Sequence, residues 1–119
     1  MATIEKFENL IIWQEAKELT MEVYQSLESL KDFGFKDQIQ RASVSIMNNI
    51  AEGFERGSDK DYVRFLFYAK GSAGEVRSML YLAQELNYID EEKSGHLIEK
   101  LRKLSGGISN FIMYLKKKD

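Results

Sequence analysis

The sequence predicts an all-α protein, an antiparallel up-down-up-down four-helix bundle that takes all 119 residues as one domain. Three observations carry this prediction. No proline interrupts the chain, so long helices are permitted. Apolar residues recur at steps of three and four in successive segments, without strand-like alternation. The joints between those segments are a few residues long, which sets consecutive helices side by side and antiparallel. With 44% hydrophobic and 30% charged residues, the chain has the apolar mass to fold. At this length roughly two-thirds of the unfolded surface can be buried.

The first helix is expected over about residues 9–30. Trp13, Ala16, Thr20, Val23, Leu27 and Leu30 form one stripe with Tyr24 beside it, and Gly34 is the expected stop. The second is expected over about residues 36–56. Ile39, Ala42, Ser43, Ile46, Ile50, Gly53 and Phe54 share a face, and Gly57 ends it. The third is expected over about residues 59–87. Ser58 or Asp59 caps its free amides, the acids Asp59 and Asp61 suit its dipole, and Tyr62, Leu66, Ala69, Ala73, Val76 and Leu80 make its stripe. The fourth is expected over about residues 90–117. It opens on Asp90, Glu91 and Glu92, and Leu97, Leu101, Leu104, Ile108, Phe111 and Leu115 follow a heptad. Gly106 and Gly107 lie inside that frame. Each costs roughly 1 kcal/mol relative to Ala in a helix, so a close contact or a bend is expected there.

Helix two carries a second ordered face. Gln38, Arg41, Ser45, Asn49, Glu52 and Arg56 fall on one polar stripe beside the apolar one. These side chains offer geometrically fixed hydrogen bonds. Three readings are open: an ordinary helix surface with Glu52 and Arg56 as an i,i+4 pair, a polar contact between subunits, or a nucleic-acid surface. Helix three holds more apolar mass than one face accommodates, in Phe65, Phe67, Tyr68, Tyr81 and Leu82. That excess favours association with further copies. Gly71, Ser72 and Gly74 give small sites where another backbone can approach, with Arg64 and Glu75 at a similar angle.

Catalytic chemistry finds no foothold. Cysteine is absent, which removes disulfides, thiolate metal sites and thiol nucleophiles. His96 is the single histidine, with no Glu three residues before it to build a carboxylate–histidine metal bundle. Its expected place is the surface or a cap. Gly53 and Gly57 belong to no phosphate loop, because the lysine and the preceding strand are missing. No Ser-His-Asp arrangement can be argued. No enzyme activity, cofactor, metal or small-molecule substrate is therefore expected.

Charge is uneven: residues 1–59 carry net −5 and residues 60–119 net +3, for −2 in all. Much of the positive excess lies in Lys100, Arg102, Lys103, Lys116, Lys117 and Lys118. That set is either a solvated helix face with a lysine tail or a patch that contacts phosphates. The longest uncharged stretch, residues 104–115, is too short for a bilayer, which needs about 20 apolar residues. The start of the chain lacks the pattern of a signal peptide. The expected location is the cytoplasm, with no membrane partner.

The order Trp13-x-x-Ala16, then Gln38-x-x-Arg41-Ala42-x-x-Ser45-Ile46-x-x-Asn49-Ile50-Ala51-Glu52-Gly53-x-x-Arg56, then Phe65-x-x-x-Ala69-x-Gly71-Ser72-x-x-Glu75 resembles a known family. It is that of the four-helix-bundle proteins named after the intervening sequences of bacterial 23S ribosomal RNA genes. The pattern is also similar to the accessory variability proteins of diversity-generating retroelements. The resemblance implies a bacterial protomer that assembles into a ring, typically a homopentamer, of poorly defined biochemical role. For the retroelement relatives it implies contact with nucleic acid and a reverse transcriptase, so RNA or DNA is the alternative partner. The stripe of helix two is the family pattern itself. Arg41, Asn49, Glu52 and Arg56, with Ser72 and Glu75 from helix three, are accordingly expected to join subunits through charge-assisted bonds.

Overall fold

The computed structural model describes residues 4–118. A short 3-10 turn, Phe7–Asn9, leads into four helices: α1 (Ile11–Ser26), α2 (Phe33–Glu55), α3 (Asp59–Glu85) and α4 (Glu91–Lys117). They form a rod of 47 × 21 × 21 Å. Each helix packs on its two neighbours, α1 on α2 and α4, α3 on α2 and α4, and among the described residues the diagonal pairs do not meet. Cross-helix pairs run in opposite senses along the chain, from Gln38–Glu75 through Ser45–Ser72 to the approach of Gly53 on Phe65. The same opposite sense links α1 to α2, in Thr20–Ser43 and Glu28–Lys36, and α3 to α4, in Gln84–Ser94, Tyr81–Arg102 and Asp59–Lys118, so every consecutive pair is antiparallel.

The four apolar stripes close on one core. Ala16, Leu19, Val23, Leu27, Ile39, Ile46, Ile50, Leu66, Ala69, Val76, Leu80, Leu97, Leu101, Leu104 and Ile108 are all essentially inaccessible to solvent. Two buried hydroxyls between α1 and α2 are satisfied inside it. Thr20 donates to the carbonyls of Ala16 (2.8 Å) and Ser43 (3.1 Å), and Ser43 donates to that of Ile39 at 2.9 Å. The Thr20–Ser43 bond fastens α1 to α2, and neither hydroxyl is left unpaired.

The ends of the helices correct several expectations. The first helix stops at Ser26 rather than Leu30, and a turn carries Leu27 and Leu30 back onto the core. Its apolar spacing thus outlasts its backbone. Gly34 is no stop for that helix: it lies in the first turn of α2, which starts at Phe33 and is capped by Asp32 accepting from the Phe35 amide at 3.2 Å. Of the two candidates at the third helix, Ser58 is the cap, accepting from the Asp61 amide at 3.2 Å. Asp90 caps α4 in the same way, from the Lys93 amide at 2.7 Å. The third helix ends at Glu85, two residues early, and Asn87 turns the chain with φ 59°. Helix four runs unbroken through its glycines. Gly107 is the close contact, since a Cβ there would meet Ile12 Cγ2 at 3.2 Å, whereas Gly106 faces open space.

Tyr88 ties the two joints at one end of the rod. Its hydroxyl donates to Asp32 at 2.7 Å and its ring meets Phe35 edge-on.

Candidate interaction surface on helices two and three

The polar stripe of α2 divides according to the partners its side chains meet. On the side nearest α3, Gln38, Ser45 and Asn49 make contacts within the protomer. Gln38 donates to Glu75 at a long 3.4 Å, and the Ser45 and Ser72 hydroxyls lie 2.9 Å apart. Asn49 donates to the Ser45 carbonyl (2.8 Å) and hydroxyl (2.9 Å). Arg41 pairs with Asp37 on the outward side, and Arg56 pairs with Glu52, each at 2.8 Å and each one turn apart. Such exposed pairs contribute about 0–1 kcal/mol each. Five of the eight expected stripe residues are thus brought together along the α2–α3 seam: Gln38, Ser45, Asn49, Ser72 and Glu75. Arg41 and Glu52 are held by local partners, while Arg56 pairs with Glu52 and also lies over Phe65 of α3.

The seam is tight because of Gly53. A Cβ at that position would stand 2.9 Å from Phe65 Cβ and 3.1 Å from Tyr62 Cδ1. The glycine within Ala51-Glu52-Gly53 therefore sets the distance between the two helices. Beside it Phe65 is clasped by two guanidinium groups, Arg56 at 4.7 Å and Arg64 at 5.0 Å from the ring centre. Arg64 does not reach Glu75; it bonds Asp61 at 3.3 Å.

Next to these ordered polar groups lies apolar surface that the protomer leaves open. Tyr68, Leu82 and Leu86, on the α2 side of α3, are each close to half exposed. Over the outer face of α2, a shallow groove of about 490 Å³ runs from Tyr24 of α1 past Arg41, Val44, Asn48 and Glu52 to Ser45 and Asn49 at the seam. Gly71 and Gly74 face open space, with nothing of the protomer within 4 Å of a Cβ placed there.

The basic candidates separate. Lys100 bonds Glu22 and Glu18, and Lys103 reaches Glu15 at 3.5 Å, so both serve the α1–α4 contact. Burial pushes the Glu22 carboxyl up, but the bond from Lys100, with His96 and Lys93 beside it, outweighs this and holds it below the ordinary carboxylate value. Lys100 is correspondingly raised, chiefly by its bond to Glu22. His96 is a surface residue, 3.2 Å from Glu22. Arg102 and Lys116 instead face α3: Arg102 donates to the Tyr81 hydroxyl at 3.1 Å and meets Glu99 at 3.3 Å, and Lys116 sits 5.2 Å from the Phe67 ring centre. Lys117 is exposed on the last turn, and Lys118 approaches Asp59 at 3.5 Å. Lys70 and Arg77, exposed on the α4 side of α3, escaped the sequence reading because their spacing forms no run along the chain.

Among the described residues, no group of His, Asp and Glu side chains is placed to hold a metal ion, and no helix is long and apolar enough to cross a membrane.

A family profile described as 23S rRNA-intervening sequence protein matches residues 8–110. A crystal structure of a protein of unknown function from the S23 ribosomal protein family of Bacteroides thetaiotaomicron superposes with a TM-score of 0.80 at 24% identity, covering 86% of this chain and 98% of that one. That likeness establishes the four-helix fold. No curated protein matches this chain.

Proposed function

On the premise that this chain belongs to the 23S rRNA-intervening sequence protein family, we propose that it is a non-enzymatic scaffold that assembles with copies of itself through the α2–α3 seam. The observation that carries this reading is the pairing of open apolar area with fixed polar groups. Tyr68, Leu82 and Leu86 are about half exposed beside Ser45, Asn49, Ser72 and Glu75, whose bonds hold them in place. An interface needs both, apolar area for affinity and ordered hydrogen-bonding groups for register.

A closed ring, the homopentamer implied by resemblance, requires a head-to-tail contact in which the seam meets a different patch on the next copy. Met21 and Tyr24, both exposed on α1, supply such a patch on the far side of α2, with the groove lined by Tyr24, Ser45 and Asn49 leading from it to the seam. The exposed ion pairs Arg41–Asp37 and Arg56–Glu52 are then available to exchange partners across the contact.

Sedimentation velocity at micromolar concentration tests the proposal. The parent chain is expected as a single species of several protomers. Leu82→Glu with Leu86→Glu is expected to yield monomers with unchanged helical content, because both positions are exposed in the protomer. A monomeric parent would overturn the reading, and so would a double variant that keeps the parent's mass.

A further inference from the structure

We propose that the other flank of α3, its seam with α4, binds single-stranded nucleic acid along the phosphodiester backbone. This does not depend on self-assembly, which uses the α2 side of the same helix.

The observation is a pair of cation–aromatic units on one face. Phe67 has Lys116 of α4 beside its ring, 5.2 Å from the centre, and Lys70 lies one turn along α3. Tyr81 receives a hydrogen bond from Arg102 of α4 at 3.1 Å, and Arg77 lies one turn before it. Both aromatic residues are 47% exposed, although each is flanked by side chains from two helices. The units stand four turns apart, about 21 Å at 1.5 Å per residue. Between them the helix offers Gly74, with open space beyond it, so nothing blocks a chain laid from one unit to the other.

Charge decides the sign of the partner. Among the described residues Lys70, Arg77 and Lys116 form no ion pair. Of the carboxylates nearby, Glu99 engages Arg102 and Asp59 engages Lys118, while Glu85 stands one turn beyond Tyr81. The centre of the face is therefore positive although the whole chain is net −2. The aromatic rings decide between polyanions. A plain acidic chain such as polyglutamate has no π-face to set against the rings. Unpaired bases have π-faces that stack on exposed rings, whereas a duplex keeps its bases inside. Four cations in register give a salt slope of about −3, at roughly −0.7 per contacted phosphate.

The test is fluorescence anisotropy of the full chain with a labelled oligouridylate, titrated from low to physiological salt. Binding is expected at low salt with that slope. Lys70→Glu with Arg77→Glu is expected to weaken binding at least about tenfold and to cut the slope by about half, with circular dichroism and sedimentation unchanged. Tyr81→Ala is expected to weaken it at least about fivefold while leaving the slope intact. Failure of the parent chain to bind at low salt would overturn the proposal. Full binding by the charge-reversed variant would also do so. Competition by polyglutamate as effective as by RNA would assign the face to an acidic protein instead.

Discussion

Replacing Gly53 with Ala separates two roles that the Ala51-Glu52-Gly53 segment could play. In an open helix the change would stabilise, because Gly costs about 0.8–1.0 kcal/mol relative to Ala. Here the new methyl carbon would lie 2.9 Å from Phe65 Cβ and 3.3 Å from the Tyr62 carbonyl oxygen. Neither atom can swing away, since one is fixed to the backbone and the other belongs to it. Helices α2 and α3 must part by some tenths of an ångström, loosening Phe65 and the Phe54–Tyr62 contact. Overpacking of this kind costs about 1–3 kcal/mol, and the rigidity of both neighbours places it near the top of that range. The net loss is about 2 kcal/mol, or about 8 °C in Tm for a chain of this size. Gly71→Ala and Gly74→Ala meet open space and should each gain about 0.5–1 kcal/mol. Gly107→Ala, against a single methyl of Ile12 at 3.2 Å, should fall between. Urea midpoints of the variants at equal concentration give the order. A Gly53→Ala protein as stable as its parent would refute the reasoning.

Three further outcomes follow from the polar groups. The Tyr62 hydroxyl is buried with no hydrogen-bond partner, so Tyr62→Phe is expected to leave stability unchanged or raise it by about 1 kcal/mol in urea melts; burial also pushes its ionisation well up, so ultraviolet titration should find a tyrosine that stays protonated until the chain unfolds. The Tyr88 bond and then the Phe35 amide lower the Asp32 carboxyl below 3.8, and Asp32 raises the Tyr88 hydroxyl above 10.0. Their contribution is complete between those ordinary values, fading as pH falls through the lowered carboxyl and as it rises through the raised phenol; Tyr88→Phe should flatten both limbs of a stability–pH curve. Glu22→Gln removes the negative charge shared by Lys100, Lys93 and His96, and one of its two acceptor oxygens, and should cost about 1–2 kcal/mol, with the deficit shrinking as the parent's Glu22 is protonated below its ordinary 4.5.

The number, type and order of the helices were legible because each buries a stripe at helical spacing, and the heptad from Leu97 to Leu115 shows it most plainly. Where helices end was less legible. Leu27 and Leu30 keep the helical step after the backbone has left the helix, so apolar periodicity overran the true end at Ser26. The cap at Asp32 was readable in principle, as an acid just before a helical run, but Gly34 two residues later masked it. At the surface the sequence revealed the polar stripe of α2 and not its division. Whether Arg41 bonds a neighbour at Asp37 or a distant partner depends on side-chain angles that spacing leaves open. Gly53 looked like one apolar-face residue among several, because its contacts, Phe65 and Tyr62, come from a different helix.

The charge asymmetry shows how a sequence signal can be real and misplaced. The second half of the chain is positive, but Lys100 and Lys103 lie against α1, where they meet Glu15, Glu18 and Glu22. Their charge is matched within the protomer, Lys100 most closely through Glu22. The cations that remain free, Lys70 and Arg77, are scattered in sequence but collected by the α3–α4 seam. Helix α3 thus presents two unlike flanks. Half-exposed apolar side chains lie beside ordered hydroxyls toward α2, and cations alternate with exposed rings toward α4. An ordinary outer helix needs neither, since a purely polar outward face would be enough for solvation. The two flanks are also separable by mutation. Leu82 and Leu86 can be altered without touching Lys70 or Arg77, so assembly and polyanion binding can be abolished one at a time. If abolishing one always abolished the other, α3 would instead carry a single surface on which the binding site forms only between copies.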